Sequence, residues 1–462
     1  MTSLSVIVLA AGKGKRMVSD QPKVLHRIGG KPLLSHVLAT AGELDAEQCV
    51  VVYGHGGEAV KTVCSIAEPV IWVEQTEQLG TGHAVAQTLP SLPPQSIALV
   101  LYGDVPLIRQ QTLQPLIISA EQGHLAVLTA ELADPTGYGR IVRDSTGRVE
   151  RIVEEKDAEP EQLAIAEINT GILAVPTQAL SRWVQQLDNG NAQGEYYLTD
   201  VIAMAVAEGV AVEAFPAPDP KEVQGINDRA QLARSERYFQ HRQTQALLKQ
   251  GVTLLDPARV DIRGDVTIGK DVVIDIDVIL EGEVHLGDGV TIGPYTLIRD
   301  AVVGEHTEVL SHCHIEDARI GKRVQIGPYA RLRPATDLAD EAKVGNFVEI
   351  KKARVGHGSK VNHLTYIGDS EIGAGVNVGA GTITCNYDGA NKHKTIIEDH
   401  VFIGSNVALV APVRVGEGAT VGAGSTISKD IPAGNLGVTR SSQRLLKDWQ
   451  RPVKRNTPSG ST

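Results

Sequence analysis

Two stretches of this chain carry residues able to do chemistry. The first is Leu9-Ala10-Ala11-Gly12-Lys13-Gly14-Lys15-Arg16-Met17, with Gln21-Pro22-Lys23 just downstream. A glycine-rich turn at a strand's end exposes backbone N–H groups that can wrap a di- or triphosphate, and Lys13, Arg16 and Lys23 add full positive charge. Two later loops suit the same ligand. Gln75 precedes Gly80-Thr81, which opens a helix, and Tyr102-Gly103-Asp104-Val105-Pro106 ends an apolar strand on a carboxylate. An Asp placed there can hold a divalent metal on phosphate oxygens, or simply cap a helix. The second stretch runs through Asn346-Phe347-Val348-Glu349-Ile350-Lys351-Lys352, Asn362-His363-Leu364-Thr365-Tyr366, Asn377–Thr382 and Cys385-Asn386-Tyr387-Asp388-Gly389. An imidazole is suited to take a proton at physiological pH, which makes His363 a candidate base. Spacing alone does not separate it from an exposed histidine, since the chain has 14.

The elements that must position these residues are of two kinds. Up to about residue 225, apolar strand candidates (Leu4–Leu9, Cys49–Tyr53, Ile97–Tyr102, Ala126–Ala130, Gly171–Val175) alternate with helical stretches such as Pro32–Glu43 and Thr81–Leu89. That alternation predicts a mostly parallel, doubly wound α/β sheet of Rossmann-like type, with ligands beyond the carboxyl ends of its strands. A polar helix is predicted over about 227–250, ended by Gly251. Beyond it an aliphatic residue followed by Gly recurs with a six-residue period, as at Ile268-Gly269, Ile292-Gly293, Ile326-Gly327, Val344-Gly345, Val378-Gly379, Ile403-Gly404 and Val421-Gly422. This is the hexapeptide repeat of a left-handed parallel β-helix, three hexads to a triangular coil. Residues 333–343 and 384–399 break the rhythm and are expected to be loops expelled from the solenoid, where function concentrates. The predicted domains are therefore residues 1–226, a helical linker 227–250, and a β-helix 251–462 with a tail whose end is expected to be disordered.

Composition agrees and excludes some partners. There are 47 glycines and only 4% aromatic residues, as a solenoid with tight corners and an aliphatic core requires. The net charge of -11 argues against nucleic acid as a partner. No apolar run approaches a membrane span, and the run from Val6 to Ala11 is too short for a signal peptide, with glycines and basic residues after it rather than before. Cys49, Cys64, Cys313 and Cys385 form no CxxC pair, which points to free thiols in the cytoplasm.

The motifs LAAGKGKRM, PKVLH, QLGTGHA and LYGDVPL, with Gly137-Tyr138-Gly139-Arg140, Ile152-Val153-Glu154, Ile168-Asn169-Thr170-Gly171, Gly225-Ile226-Asn227 and the β-helix stretches above, resemble the bacterial bifunctional N-acetylglucosamine-1-phosphate uridyltransferase/glucosamine-1-phosphate acetyltransferase family over nearly the whole chain. The resemblance implies that Leu9, Ala10, Ala11, Gly12, Gln75, Gly80 and Thr81 bind uridine and its phosphates, with Lys13, Arg16 and Lys23 acting on phosphate. It implies that Tyr102, Gly103, Gly139, Glu154 and Asn169 hold the sugar and that Asp104 and Asn227 ligate Mg²⁺. In the β-helix it makes His363 the base, gives Arg333 and Lys351 the sugar phosphate, and gives Tyr366, Asn377 and Asn386 the sugar. Ala380, Asn386, Tyr387, Ser405, Ala423 and Arg440 would contact acetyl-CoA, and Glu349 would orient His363. Asn362 stands where a small residue is expected in close relatives. The family implies a homotrimer, UTP and acetyl-CoA as co-substrates, and UDP-N-acetylglucosamine as a cell-wall precursor for peptidoglycan and lipopolysaccharide. A rival reading keeps only the front activity and makes the β-helix regulatory or a trimerisation scaffold.

Overall fold

The computed structural model describes residues 3–12, 14–54, 56–64 and 70–453. The chain forms two compact units, Met1–Val266 with Ile279–Glu283, and Thr267–Val278 with Val284–Thr462.

The front unit is built on one sheet. Its strands are β1 (Leu4–Ala10), β2 (Gln48–Tyr53), β3 (Val70–Glu74), β4 (Ile97–Tyr102), β5 (Leu125–Glu131), β6 (Arg140–Arg143), β7 (Val149–Val153), β8 (Glu167–Pro176) and β9 (Val212–Pro216). The order along the sheet is β9-β5-β8-β4-β1-β2-β3, with β6 and β7 as a side hairpin off β8. All pairs on that path are parallel except those of β8 with β4 and β5. The reversal has a simple origin. The chain returns from β5 through the β6–β7 hairpin, not a crossover helix, so β8 comes back antiparallel.

Why β1 is central follows from its residues. Every side chain in Leu-Ser-Val-Ile-Val-Leu-Ala is buried. Successive residues point to opposite faces. Val6 and Val8 join one core with α1 (Leu33–Gly42), while Ile7 and Leu9 join the other. The first core is closed by α3 (Gln110–Glu121), and the second by α2 (Thr81–Ala86), α4 (Thr177–Val184) and α5 (Asp200–Ala207). Each buried Val, Leu or Ile contributes about 1.5–3 kcal/mol, so a strand apolar on both faces fixes the middle of the sheet. The helix predicted over 227–250 is α6 (Arg229–Lys249). Asp228 caps it by accepting from the Gln231 N–H at 2.7 Å, and it lies within the front unit.

In the rear unit the repeat becomes stacked coils. Ile292, Val309, Ile326, Val344, Val361, Val378, Ile403 and Val421 stand directly above one another in parallel register, all buried. A second column runs through Val303, Ile320, Leu338, Val355, Ile372, Ile397 and Val415. A third runs through Ile298, Ile315, Leu332, Ile350 and Ile367. These columns fill a left-handed β-helical prism.

The two rhythm breaks differ. Asn386 to Lys394 leaves the prism, a narrower stretch than the 384–399 expected because Thr384-Cys385 and Thr395–Ile397 stay in register, so that Asn377 pairs with Phe402 across a lengthened coil. Residues 333–343 do not leave it. Thr336–Leu338 is a strand in register with Ala318–Ile320 and Ala353–Val355, and the coil keeps its length. The expected loop there is corrected to an ordinary coil. Only the glycine is missing: Leu338 fills the core position as usual, and Ala339 stands where Gly follows the aliphatic residue in other hexads.

Candidate functional sites

The front site lies at the carboxyl ends of β1, β3 and β4. A cavity of about 450 Å³ is lined by Leu9, Ala10, Ala11, Gly12, Lys23, Gln75, Gly80, Thr81, Tyr102 and Asp104 among others. It thus gathers ten residues that the sequence singled out, from four separate segments. Lys13 lies outside the described residues. Arg16 is exposed on the one-turn helix Lys15–Met17.

Lys23 is the hub. Its ammonium donates to an Asp104 carboxylate oxygen and, at 3.1 Å, to Asn227 Oδ1. Asn227 is brought there by a backbone bond from the Ile226 N–H to the Asp104 carbonyl at 2.9 Å. One carboxylate oxygen and one amide oxygen therefore converge on a single cation. Both are hard donors of the sort Mg²⁺ takes alongside phosphate oxygens and water. The donor set fits the metal that the motifs imply, and no cluster of three or more His, Cys, Asp or Glu among the described residues offers another.

The Gly80 turn is fixed by the loop before α5. The Gly82 N–H donates to the Tyr196 carbonyl at 2.8 Å, and Thr81 Oγ1 accepts from the Leu198 N–H at 3.1 Å. Gln75, buried, donates to the Gly80 carbonyl at 3.1 Å. Gly80 has φ of 109°, and a Cβ on it would stand 2.6 Å from the Tyr196 carbonyl oxygen. Gly80→Ala is therefore expected to cost about 1–3 kcal/mol of stability and to weaken nucleotide binding, read by thermal midpoint and by the UTP KM.

A second group sits beside Tyr102. Strand β8 carries a bulge between Asn169 and Leu173, with Gly171 at φ of 84°. A Cβ on Gly171 would lie 2.6 Å from the Tyr102 ring, so the bulge exists to admit that ring. Burial first, then the charges of Glu154 and Asp104, keeps the Tyr102 phenol protonated. Burial also pushes the Glu154 carboxyl above the usual range, opposed by a 3.1 Å bond from Thr199 Oγ1. The Gly139 carbonyl accepts from the Asn169 N–H at 2.8 Å, and a Cβ on Gly139 would be 3.4 Å from Glu154 Oε2. Tyr102, Gly139, Glu154 and Asn169 thus form one neighbourhood. Gly103 is buried between Ala10, Val24 and Leu34 and acts through its backbone. Sequence reasoning missed Gln78, whose amide donates to the Ala11 carbonyl at 2.7 Å, and Glu195 on the cavity wall. Gln78 was visible as the residue two before the Gly80 turn.

The rear site is centred on His363. Its Nδ1 is 2.8 Å from Asn346 Oδ1, in the coil directly below. An amide oxygen only accepts, so this contact is met by a proton on Nδ1, which leaves the Nε2 lone pair free to accept a proton. Glu349 does not orient the histidine. It pairs instead with Arg333 at 2.7 Å, because its strand lies over Arg331 and under Tyr366. The pairing signal was present in the sequence: Asn346 precedes His363 by one coil.

Arg333, Lys351 and Lys392 form a cationic group. Repulsion from Lys392 first, and then Arg333, lowers the Lys351 ammonium below its ordinary range. Lys392, unremarked in the sequence, reaches this place because the expelled loop folds back in a bridge from Tyr387 to Lys392. Asp388 braces that loop, accepting from Asn391 N–H at 2.6 Å and Ala390 N–H at 2.8 Å, with His393 Nε2 at 2.7 Å. Those donors hold the Asp388 carboxyl well below the usual range. The Tyr366 hydroxyl and Asn386 amide flank Gly368, at 2.5 and 2.8 Å from where its Cβ would stand. Gly368 lies in register with Lys351, so these groups share one face.

Above His363 the coils continue at one corner. The Gly381 N–H donates to the His363 carbonyl at 3.3 Å, Asn406 N–H to Ala380 at 2.7 Å, and Gly424 N–H to Ser405 at 2.8 Å. Ala380, Ser405 and Ala423 are thereby stacked in line with the histidine. Arg440, exposed, folds over them, its guanidinium 3.6 Å from a Cβ position on Gly422. Asn377 stands three residues before Ala380, in register with Lys360 and Phe402. Tyr387 is exposed on the expelled loop, its hydroxyl donating to the Gly389 carbonyl at 2.6 Å.

Residues 6–164 match the MobA-like NTP transferase domain, residues 262–355 the GMPPB C-terminal domain, and residues 394–429 the bacterial transferase hexapeptide (six repeats). The chain is 57% identical to the bifunctional protein GlmU of Alkalilimnicola ehrlichii over 453 residues, 98% of this chain and 97% of that protein. It is also 57% identical to the bifunctional protein GlmU of Ralstonia nicotianae over 451 residues, 98% of this chain and 99% of that one. A crystal structure of UDP-glucose pyrophosphorylase with UDP-glucose matches 52% of this chain and 98% of its own at 16% identity, with a TM-score of 0.44.

Proposed function

This chain belongs to the family of the bifunctional GlmU proteins, and from that premise we propose that it performs two successive transfers in UDP-N-acetylglucosamine synthesis, each in its own unit. The rear unit acetylates glucosamine-1-phosphate with acetyl-CoA. The front unit then transfers UMP from UTP to the N-acetylglucosamine-1-phosphate so formed.

In the rear reaction the sugar amine attacks the thioester carbonyl, an N–C bond forms, the C–S bond breaks and CoA leaves as thiol. His363 Nε2 takes the amine's proton, with Asn346 holding the ring. Arg333, Lys351 and Lys392 hold the sugar phosphate. The observation that carries this reading is the 2.8 Å contact between His363 Nδ1 and Asn346 Oδ1, on a prism that also gathers the Arg333, Lys351 and Lys392 cations. A purely structural β-helix has no use for either, which disfavours the front-only alternative. Lys392→Ala is expected to raise the KM for glucosamine-1-phosphate roughly tenfold with kcat nearly unchanged, the loss of one charge-assisted contact. Bound phosphate relieves the repulsion on Lys351, so that affinity should fall as pH climbs toward its lowered pKa. Removing Lys392 should move that fall to higher pH, as the pH profile of KM would read.

In the front reaction the sugar phosphate oxygen attacks the α-phosphorus of UTP and pyrophosphate leaves. The Gly12 turn and Gly80 turn place the nucleotide, the Tyr102–Glu154–Asn169 group places the sugar, and Lys23 neutralises phosphate charge. Mg²⁺ held by Asp104 and Asn227 would supply further charge neutralisation at the phosphate oxygens. EDTA is expected to stop pyrophosphate release while leaving thiol release largely intact. Equal loss of both would defeat the assignment of metal to the front site alone.

A homotrimer is supported by a stacked ladder at one prism corner, Tyr295, His312, Tyr329 and Phe347, with ring centroids 4.8, 4.7 and 5.3 Å apart. It is continued by Leu364 beside His363. Tyr295, Tyr329, Phe347 and Leu364 are about half exposed or more, an apolar stripe of the kind that marks an interface. Light scattering reads the mass. Action in the cytoplasm is supported by four free cysteines, and no helix among the described residues is long and apolar enough to cross a membrane.

A further inference from the structure

The front unit has a second cavity, of about 680 Å³, that shares no lining residue with the nucleotide pocket. Leu107, the Tyr238 ring and exposed Ala233 give it apolar surface, and Lys221, Arg234, Arg237 and His241 line it as well. The neighbouring carboxylates are already engaged. Asp219 accepts from the Tyr238 hydroxyl at 2.6 Å, Asp261 pairs with Arg237 at 2.7 Å, and buried Glu222 pairs with Arg109. Lys221 lies 5.4 Å from the Tyr238 ring centre, and among the described residues neither it nor Arg234 forms an ion pair. The cavity therefore offers an apolar surface beside Lys221 and Arg234, neither of them in an ion pair among the described residues, with Lys221 sharing only the field of Asp219.

Its walls are also the two segments that carry the oxygens around Lys23. Leu107 follows Asp104 by three residues, and its carbonyl accepts from Arg242 of α6 at 2.9 Å. Helix α6 begins two residues after Asn227. Ile226, bonded to the Asp104 carbonyl, packs with Leu107 in one small core against which Tyr238 rests. A ligand that shifts α6 against Leu107 shifts Asp104 and Asn227 relative to each other.

We propose that this cavity is a second ligand site, which takes a small amphipathic anion, its apolar body on Leu107 and Tyr238 and its acidic group on Lys221 and Arg234, and that occupancy tunes the front reaction. The binding half stands on the cavity alone, and the coupling half rests on the reading of Asp104 and Asn227 as metal ligands.

The test uses the full chain and 8-anilinonaphthalene-1-sulfonate as the probe. Saturable fluorescence is expected that UTP with Mg²⁺ does not displace. Lys221→Glu with Arg234→Glu should weaken it roughly tenfold or more, as two charge contacts are lost. Ala233→Trp, which fills the cavity, should abolish it at an unchanged thermal midpoint. Saturating probe should change the Mg²⁺ requirement for pyrophosphate release in the wild-type protein and not in Ala233→Trp, leaving thiol release alone. Displacement by UTP, or unchanged titration in both variants, overturns the site. Binding that is lost in both variants, with an Mg²⁺ requirement the probe never moved, overturns the coupling. Failure of the metal reading itself would show separately, as full pyrophosphate release by Asp104→Ala.

Discussion

His363→Ala is expected to lower acetyl transfer by about 10²–10⁴, the range of a positioned general base, while uridylyl transfer continues at its wild-type rate. The histidine has one proton acceptor free because Asn346 fixes the other nitrogen. Removing the imidazole leaves the amine to lose its proton to water. Asn346→Ala should act on the same step more mildly, since it frees the ring without deleting it. A bell-shaped or shifted pH profile for Asn346→Ala, with little change in KM for either substrate, would mark it as a positioning residue. If His363→Ala kept full thiol release, the base would have to be elsewhere on the prism.

Asp104→Ala is expected to do the reverse. Loss of the carboxylate removes one of two protein oxygens around the Lys23 ammonium, and with it several kcal/mol of charge stabilisation, roughly a thousandfold in rate. Thiol release should be untouched, because the rear site shares no residue with this one. Lys23→Ala should also be severe, since Lys23 meets both Asp104 and Asn227. Asn227→Ala should be milder, as a neutral amide contributes less than a charge. A pattern in which Asp104→Ala lost both activities equally would contradict separate sites.

Much of this was legible in the residues, for reasons that can be named. The aliphatic-Gly period wrote the prism outright, because a narrow core accepts only aliphatics at fixed spacing. β1 was legible because a strand apolar on both faces has nowhere to go but the middle of a sheet. The antiparallel β8 was not, since periodicity reports burial and says nothing of strand direction. The loop expected over 333–343 failed because a missing glycine was taken for a missing coil, while Leu338 still filled the core. Site residues on glycine turns were legible by type. Asn346 was legible through the coil pitch that sets it one turn below His363, whereas Lys392 was not, because it acquires its role from a loop folding back. The resemblance offered Glu349 to orient His363, and the coil geometry hands it to Arg333 instead.

The most direct measurement is a single incubation of the purified chain with glucosamine-1-phosphate, acetyl-CoA, UTP and Mg²⁺, with free thiol and pyrophosphate followed in the same tube. Thiol should appear first and pyrophosphate after a lag, the lag vanishing when N-acetylglucosamine-1-phosphate is supplied instead. Pyrophosphate released without prior thiol, or neither product at all, would contradict the two-site account.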